Sequence, residues 1–424
     1  MASESMAGSA VSAETESTYA WVRLAASVLV STIGGVGMWS VIVTLPVVQA
    51  EFGVARGAAS VPYTFVLIGC LVGNVVMGRL SDRFGILVPV LIGTSALTIG
   101  YVLASQAATL GQFALVHGLM IGLLGSSATF GPVIADISLW FNRRRGMAVG
   151  ICACGSYLAG TFWPPVVQRM TDAFGWRDTH LMIAAFCLAT LLPLALVLRR
   201  RAPVLQRASV ASVAASAGPL RGLSPNMVQG LLMVAGVCCC VAMSMPQVHI
   251  VAYCADLGYG TARGAEMLSL MLATGIVSRL ASGWISDRIG PFPTLLMGSA
   301  LQALSLLLYL PFDGLASLYV VSAMFGLFQG GIVPSYAVIV REIFPPAEAG
   351  TRVSLVLSAT LGGMALGGWL SGAIYDQTLT YQAAFLNGIV WNLVNIAIVL
   401  WLMRQLSRGR RAGALGALRA PAAA

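Results

Sequence analysis

The sequence predicts an all-α membrane protein: twelve transmembrane helices arranged as two pseudo-symmetric six-helix bundles. Three observations predict it. Hydrophobic residues make up 58% of the 424 and charged residues only 9%, with a mean hydropathy of +0.86. A soluble domain carries about 25% charged residues. Apolar runs of about 20 residues, long enough to cross a bilayer as a helix, recur along the chain. One pattern, Gly-x-x-Ser-Asp-Arg-x-Gly, occurs twice, at 78–85 and 283–290, an offset of 205 residues. Such a repeat marks two equivalent halves.

Taken in order, the spans are expected at roughly 23–48, 58–79, 86–106, 111–139, 146–168 and 179–199, then 227–254, 264–284, 292–311, 316–340, 350–374 and 382–404. Residues 1–20 are small and polar, with three glutamates and no basic start. They are not a signal peptide and are expected to form a disordered cytoplasmic tail. Residues 21–199 form the first bundle. The Arg-, Ser- and Ala-rich stretch 200–226, with Pro203, Pro219 and Pro225, reads as a cytoplasmic linker. Residues 227–405 form the second bundle and 406–424 a cytoplasmic tail. A weaker pairing supports the offset, with Trp176 before the sixth span matching Tyr381 before the twelfth.

All 24 basic residues are arginine. With the N-terminus inside, 19 fall on the inner side and four (Arg56, Arg169, Arg177 and Arg263) on the outer side, leaving Arg279 within a span. The positive-inside rule therefore puts both termini in the cytoplasm, and the expected location is the cell's inner (plasma) membrane. The net charge of +9 belongs to the membrane surface rather than to a nucleic acid. Without lysine there is no Gly-x-x-x-x-Gly-Lys-Ser/Thr phosphate loop, which excludes ATP-driven pumping by this chain alone. The eight cysteines, including the run Cys238-Cys239-Cys240, lack metal spacing and read as small packing residues. No cofactor, metal or enzymatic activity is expected.

The 47 glycines permit close helix crossing. Gly131-Pro132, Pro164-Pro165, Pro246 and Gly330-Gly331 with Pro334 are expected kinks.

The expected spans, their six-plus-six symmetry and the doubled motif resemble the major facilitator superfamily of secondary transporters over nearly all of residues 20–405. A finer set is similar to the branch holding monocarboxylate transporters and oxalate–formate exchangers. It comprises Trp140-Phe141-Asn142-Arg143-Arg144-Arg145-Gly146 before the fifth span, Gly326-Leu327-Phe328-Gln329-Gly330-Gly331 in the tenth, and Ile374-Tyr375-Asp376 closing the eleventh. The resemblance implies that an arginine in the eighth span binds the substrate carboxylate, a position matched by Arg279. In the animal members an aspartate used in proton coupling stands four residues earlier. Here that residue is Gly275, which puts that route of coupling in doubt.

Arg279 is the sharpest candidate. A charge within a span is costly and marks function, and a guanidinium can hold a carboxylate through two parallel hydrogen bonds. The rival reading is snorkelling, since Arg279 lies about six residues, roughly 9 Å along the axis, from the inner loop. His117 in the fourth span and His249 in the seventh are candidates to carry a coupling proton or to pack. His180 reads as interfacial. Gln329 and Tyr336, seven residues apart and so on a similar face, could line a cavity beside a broken helix, and Trp39 is a further candidate. Asp82, Arg83, Asp287 and Arg288 are assigned to gating, because in the superfamily this motif latches the halves, with Asp136 as a partner for Arg79 or Arg83. The expected protein is thus a monomeric secondary transporter of a small organic anion, a monocarboxylate first, by alternating access, coupled to an ion or counter-anion gradient. The alternatives are a drug or metabolite exporter of the same fold, or a transport-dead membrane sensor.

Overall fold

In a hydrocarbon medium each backbone N–H and C=O must find its partner within its own segment, so these apolar runs fold as helices. A computed structural model describes residues 17–141, 144–200, 224–344 and 346–418, with helices and no strand among them. The expected N-terminal tail, the linker and the end of the C-terminal tail fall mostly outside these residues, and so does the side chain of Asp82.

Eleven helices among the described residues are long and apolar enough to cross a membrane. They run Thr18–Phe52, Arg56–Ser81, Leu87–Ser105, Leu110–Trp140, Met147–Val197, Pro225–Asp256, Thr261–Ile289, Pro291–Leu308, Leu315–Ile343, Arg352–Thr378 and Tyr381–Gln405. Met147–Val197 has 51 residues, whereas the bilayer core takes about 20. Gly175 interrupts it with φ 80° and ψ 162°, a backbone conformation glycine adopts without steric cost. The expected fifth and sixth spans lie on either side of that break. The ordinal numbers of the twelve expected spans are kept below.

The two halves repeat in their backbone. Gly53 and Gly258 have φ 60° and 82°, and Gly85 and Gly290 have φ 83° and 90°, each pair 205 residues apart. The doubled motif is not a loop, because both copies are helical up to their last glycine. Gly85 N–H donates to Ser81 O at 2.8 Å and Gly290 N–H to Ser286 O at 2.9 Å. The motif is therefore a helix end whose terminal glycine turns the chain.

Breaks fall where glycines let helices meet. The first span divides into Thr18–Gly34 and Val36–Phe52. The fourth passes from α-helix at Leu110–Val116 through a wide π-type stretch, His117–Gly125, and a tight 3₁₀ turn, Ser126–Thr129, before resuming at Gly131–Trp140. A Cβ on Gly122 would stand 2.6 Å from Val66 O of the second span, so only glycine fits there. Ser126 Oγ and Ser31 Oγ donate across the two breaks to Gly34 O at 3.0 Å and Thr129 O at 2.8 Å, satisfying carbonyls that the helices leave free. The tenth span breaks at Gly330-Gly331 into Leu315–Gln329 and Ile332–Ile343. Pro164-Pro165 and Pro246 stay within continuous helices.

Candidate functional site

The halves meet along two seams, the second span against the eleventh and the fifth against the eighth. From the end bearing Arg56, Thr64 Oγ1 donates to Ala365 O at 3.2 Å, and the Tyr63 ring packs on Gly368, where a Cβ would stand 3.1 Å from it. On the other seam Gln168 Nε2 donates to Thr261 Oγ1 at 2.8 Å and Ser269 Oγ donates to Thr161 O. Midway, Trp39, Gly160 and Leu272 converge, and a Cβ on Gly160 would collide with Leu272 and stand 2.7 Å from the indole. Toward the end bearing the doubled motif the same four spans carry Gly78, Gly150, Gly283 and Gly362. Among the described residues, a Cβ on any of them would meet no atom within 4 Å. The seam is closed at the Arg56 end and parted at the motif end.

Arg279 stands where closure gives way to the opening. Its guanidinium lies 4.2 Å from the centre of the Tyr157 ring, on the fifth span of the opposite half. Its Nη1 and Nε point at Ala153 O and Gly330 O at 3.4 and 3.5 Å, long contacts with neutral acceptors. Among the described residues no carboxylate comes within ion-pair distance of it. The side chain is half-buried and crosses the seam; it does not run to the interface as snorkelling requires. Glycine places it there. Gly275, one turn earlier on the same helix, leaves room for the Tyr157 ring, since a Cβ at 275 would stand 2.5 Å from Cε1. Gly326 and Gly330 let the eighth helix press against the tenth, as a Cβ on Gly330 would lie 2.8 Å from Ser278 Cβ. Cation–π contact at such a half-buried ring contributes about 1 kcal/mol.

Gln329 is fully buried beside the Gly330-Gly331 break. Its Oε1 accepts from Gln247 Nε2 at 2.9 Å, and its Nε2 has no partner among the described residues. Trp39 is buried at the middle of the seam.

Four expectations need correcting. Tyr336 does not share a face with Gln329, because the helical period does not carry across the break between them. Its hydroxyl donates at 2.7 Å to Asn395 Oδ1 inside the C-terminal half. His117 is fully buried within the N-terminal half, its ring 4.1 Å from Phe113 and 5.9 Å from His180. Its Nδ1–H donates to Phe113 O at 2.9 Å, so it packs and does not line the seam. His180 is equally buried, with Nδ1–H on Trp176 O at 2.7 Å, and is not interfacial. Asp136 is not the partner of Arg79 or Arg83, because Arg23 grips both its oxygens at 2.8 and 2.9 Å.

His249 is buried at the closed end, its Nε2–H donating to Gly368 O at 2.8 Å. At the parted end the Arg83 guanidinium lies 5.2 Å from the Phe84 ring and that of Arg288 lies 3.8 Å from the Trp284 ring. Asp287 is exposed. Both guanidiniums lie against rings of their own helices. Tyr157 escaped the sequence reading, because only the crossing of the fifth and eighth helices brings it to Arg279. The cluster around Arg56 escaped it too, although a signal was present: Glu51 and Asp256 are acids 205 residues apart.

The Major Facilitator Superfamily model matches residues 27–317 and 267–423. Monocarboxylate transporter 13 of Bos taurus is 29% identical over 336 residues, 78% of this chain and 76% of that protein. Monocarboxylate transporter 11 of Homo sapiens is 31% identical over 72% of this chain and 66% of that one. A crystal structure of a bacterial homologue of the human lysosomal transporter Spinster, in an inward-facing and occupied conformation, superposes with a TM-score of 0.67. It is 14% identical and covers 96% of this chain and 100% of its own.

Proposed function

The chain belongs to the Major Facilitator Superfamily, and from that premise we propose that it is a secondary active transporter of small organic anions, monocarboxylates first, working by alternating access. The observation that carries this reading is Arg279: a guanidinium set between the halves, stacked on one aromatic ring and, among the described residues, without a carboxylate in ion-pair reach. An unpaired cation at this depth is costly, and an incoming carboxylate supplies the counter-ion.

The anion enters from the parted end and takes two parallel hydrogen bonds from the guanidinium, displacing the long contacts to Ala153 O and Gly330 O. The Tyr157 ring holds the guanidinium plane, and the free Gln329 Nε2, one residue before Gly330, offers a further donor near the site. Neutralising Arg279 removes the cost of closing the seam around it. The halves then rock, with the breaks at Gly34-Gly35 and Gly330-Gly331 taking up the bend. Asp82, Arg83, Asp287 and Arg288 act when the motif end closes. The excess of inner arginines supports a parted end that faces the cytoplasm, with both termini there. The orientation of Arg279 supports an anion site over the apolar cavity of a drug exporter.

Uptake by proteoliposomes tests this. Labelled lactate, pyruvate, formate and oxalate are offered with and without an inward proton gradient, and with and without a preloaded anion. Uptake of at least one acid, strongly reduced in Arg279→Gln, is expected. Uptake of none under any condition would sink the anion reading.

A further inference from the structure

The two halves place an acid at the same point, the outer end of their first helix: Glu51 and Asp256, 205 residues apart. Each is followed two residues later by a glycine with positive φ, Gly53 and Gly258. Facing each acid is the aromatic at the start of the last span of its half, Trp176 and Tyr381, also 205 residues apart. The repeat thus builds the same nook twice, but the two are filled differently.

Glu51 is satisfied at home. Trp176 Nε1–H donates to its Oε2, and Arg177 Nη2 donates to its Oε1 at 2.6 Å. Arg177 Nη1 also donates to Ser105 O and Ala107 O at 2.8 and 3.0 Å, so that guanidinium is fixed within its own half. The residue matching Arg177 in the second half is Gln382, which is exposed. Asp256 therefore has no cation at that place and takes Arg56 from the opposite half, Nη1 to Oδ2 at 3.0 Å and Nη2 to Oδ1 at 3.2 Å. Arg56 Nη1 also donates to the Tyr381 hydroxyl, and its guanidinium lies 4.7 Å from the Tyr375 ring. In return Asp376 reaches back across the seam. Its two oxygens accept from the backbone N–H groups of Arg56 and Gly57, both at 2.7 Å. Only small residues allow this approach, as a Cβ on Gly372 would stand 2.9 Å from Gly57 Cα. Arg56 is 8% exposed. His249 closes the floor, its ring 5.8 Å from Tyr381.

We infer that Arg56 is the latch that holds the outer end shut, and that Gln382 is what frees Asp256 to receive it. All the hydrogen bonds that Arg56 makes to Asp256, Tyr381 and Asp376 run between the halves, so every one must break when this end opens. Two parallel charge-assisted bonds make a bistable contact: formed and dry in one state, separated and hydrated in the other. The inference rests on the alternating-access reading but not on the nature of the substrate.

The test reads conformation directly. Ala108 and Asp313 are exposed, lie in the connections after the third and ninth spans, and occupy the same place in the two halves, 205 residues apart. Spin labels on Ala108→Cys and Asp313→Cys, in a background whose native cysteines are replaced, report the width of the outer end by pulsed electron paramagnetic resonance without substrate. Arg56→Gln is expected to move the distance distribution to longer values. Gln382→Arg, at an exposed position that leaves Arg56 intact, is expected to do the same by supplying Asp256 with a cation from its own half. The reversal Arg56→Asp with Asp256→Arg is expected to return the distribution toward the short distance. A distribution unchanged in both Arg56→Gln and Gln382→Arg overturns the proposal, and a change in Arg56→Gln alone overturns the part given to Gln382. A shift in the distances together with no uptake of any acid would keep the latch and defeat the anion reading instead.

Discussion

Arg23 and Arg279 both sit on apolar spans of this protein, each against an aromatic ring, and the difference between them bears on structure and function. Arg23, in the first span, is completely buried. Its guanidinium lies 4.6 Å from the Trp140 ring, grips both oxygens of Asp136 and donates to Tyr19 Oη and Arg200 O, each at 3.0 Å. Arg279, in the eighth span, has the same aromatic support from Tyr157 at 4.2 Å, but among the described residues it has long contacts to neutral carbonyls and no carboxylate. One guanidinium is saturated from within a single half. The other stands between the halves with capacity to spare. Intramembrane charge alone does not mark a binding site; the proposal for Arg279 rests on the want of a counter-ion among the described residues.

The comparison can be broken from either side, and the largest effect should come from the saturated arginine. Arg23→Ala leaves Asp136 as a buried, uncompensated carboxylate, a change that costs about 3–5 kcal/mol. The expected outcome is loss of the folded protein in detergent, read as a collapse of the monodisperse size-exclusion peak. Arg279→Gln should leave that peak intact and reduce uptake roughly a hundredfold, because a hydrogen bond to a charged group is worth about 1.5–3 kcal/mol. Gly275→Asp sharpens the contrast. It gives Arg279 an internal carboxylate like that of Arg23 and, because a Cβ there would stand 2.5 Å from Tyr157 Cε1, also pushes the ring aside, so the apparent affinity for the transported acid should fall by at least about tenfold, equivalent to about 1.4 kcal/mol. Tyr157→Leu removes the ring beneath the guanidinium and should weaken binding by about 1 kcal/mol, a fivefold rise in the concentration for half-maximal uptake. Tyr336→Phe should be the mildest. It removes a hydrogen bond inside the C-terminal half, costs about 1 kcal/mol of stability and leaves uptake kinetics unchanged.

The sequence carried the architecture further than the site. Hydropathy located the spans, and the doubled motif implied the offset that Gly53/Gly258 and Gly85/Gly290 repeat in their backbone angles. The break at Gly330-Gly331 was legible from glycine and proline. The unwinding of the fourth span through His117–Gly125 was not, because it follows from how closely Gly118 and Gly122 approach the second span. Arg279 could be singled out as a charge in an apolar run. Its partner could not, since Tyr157 reaches it only through the crossing of two helices from different halves. The grouping of Gln329 with Tyr336 failed for a definite reason: face arithmetic assumes an unbroken helix, and the break falls between them. His117 failed for another. A buried histidine among Phe113, Trp176 and His180 looks, in sequence, the same as one lining a cavity.

The account stands or falls on Arg279 as the anion contact, and equilibrium binding to the purified protein tests that most directly. Labelled lactate, pyruvate, formate and oxalate would be offered to the wild type and to Arg279→Gln, with the thermal stability of both measured in parallel. The account predicts that the wild type binds at least one of these acids, that the variant loses this binding, and that the variant is no less stable, since a charge without a counter-ion has been removed. Equal binding of that acid by both proteins would contradict it.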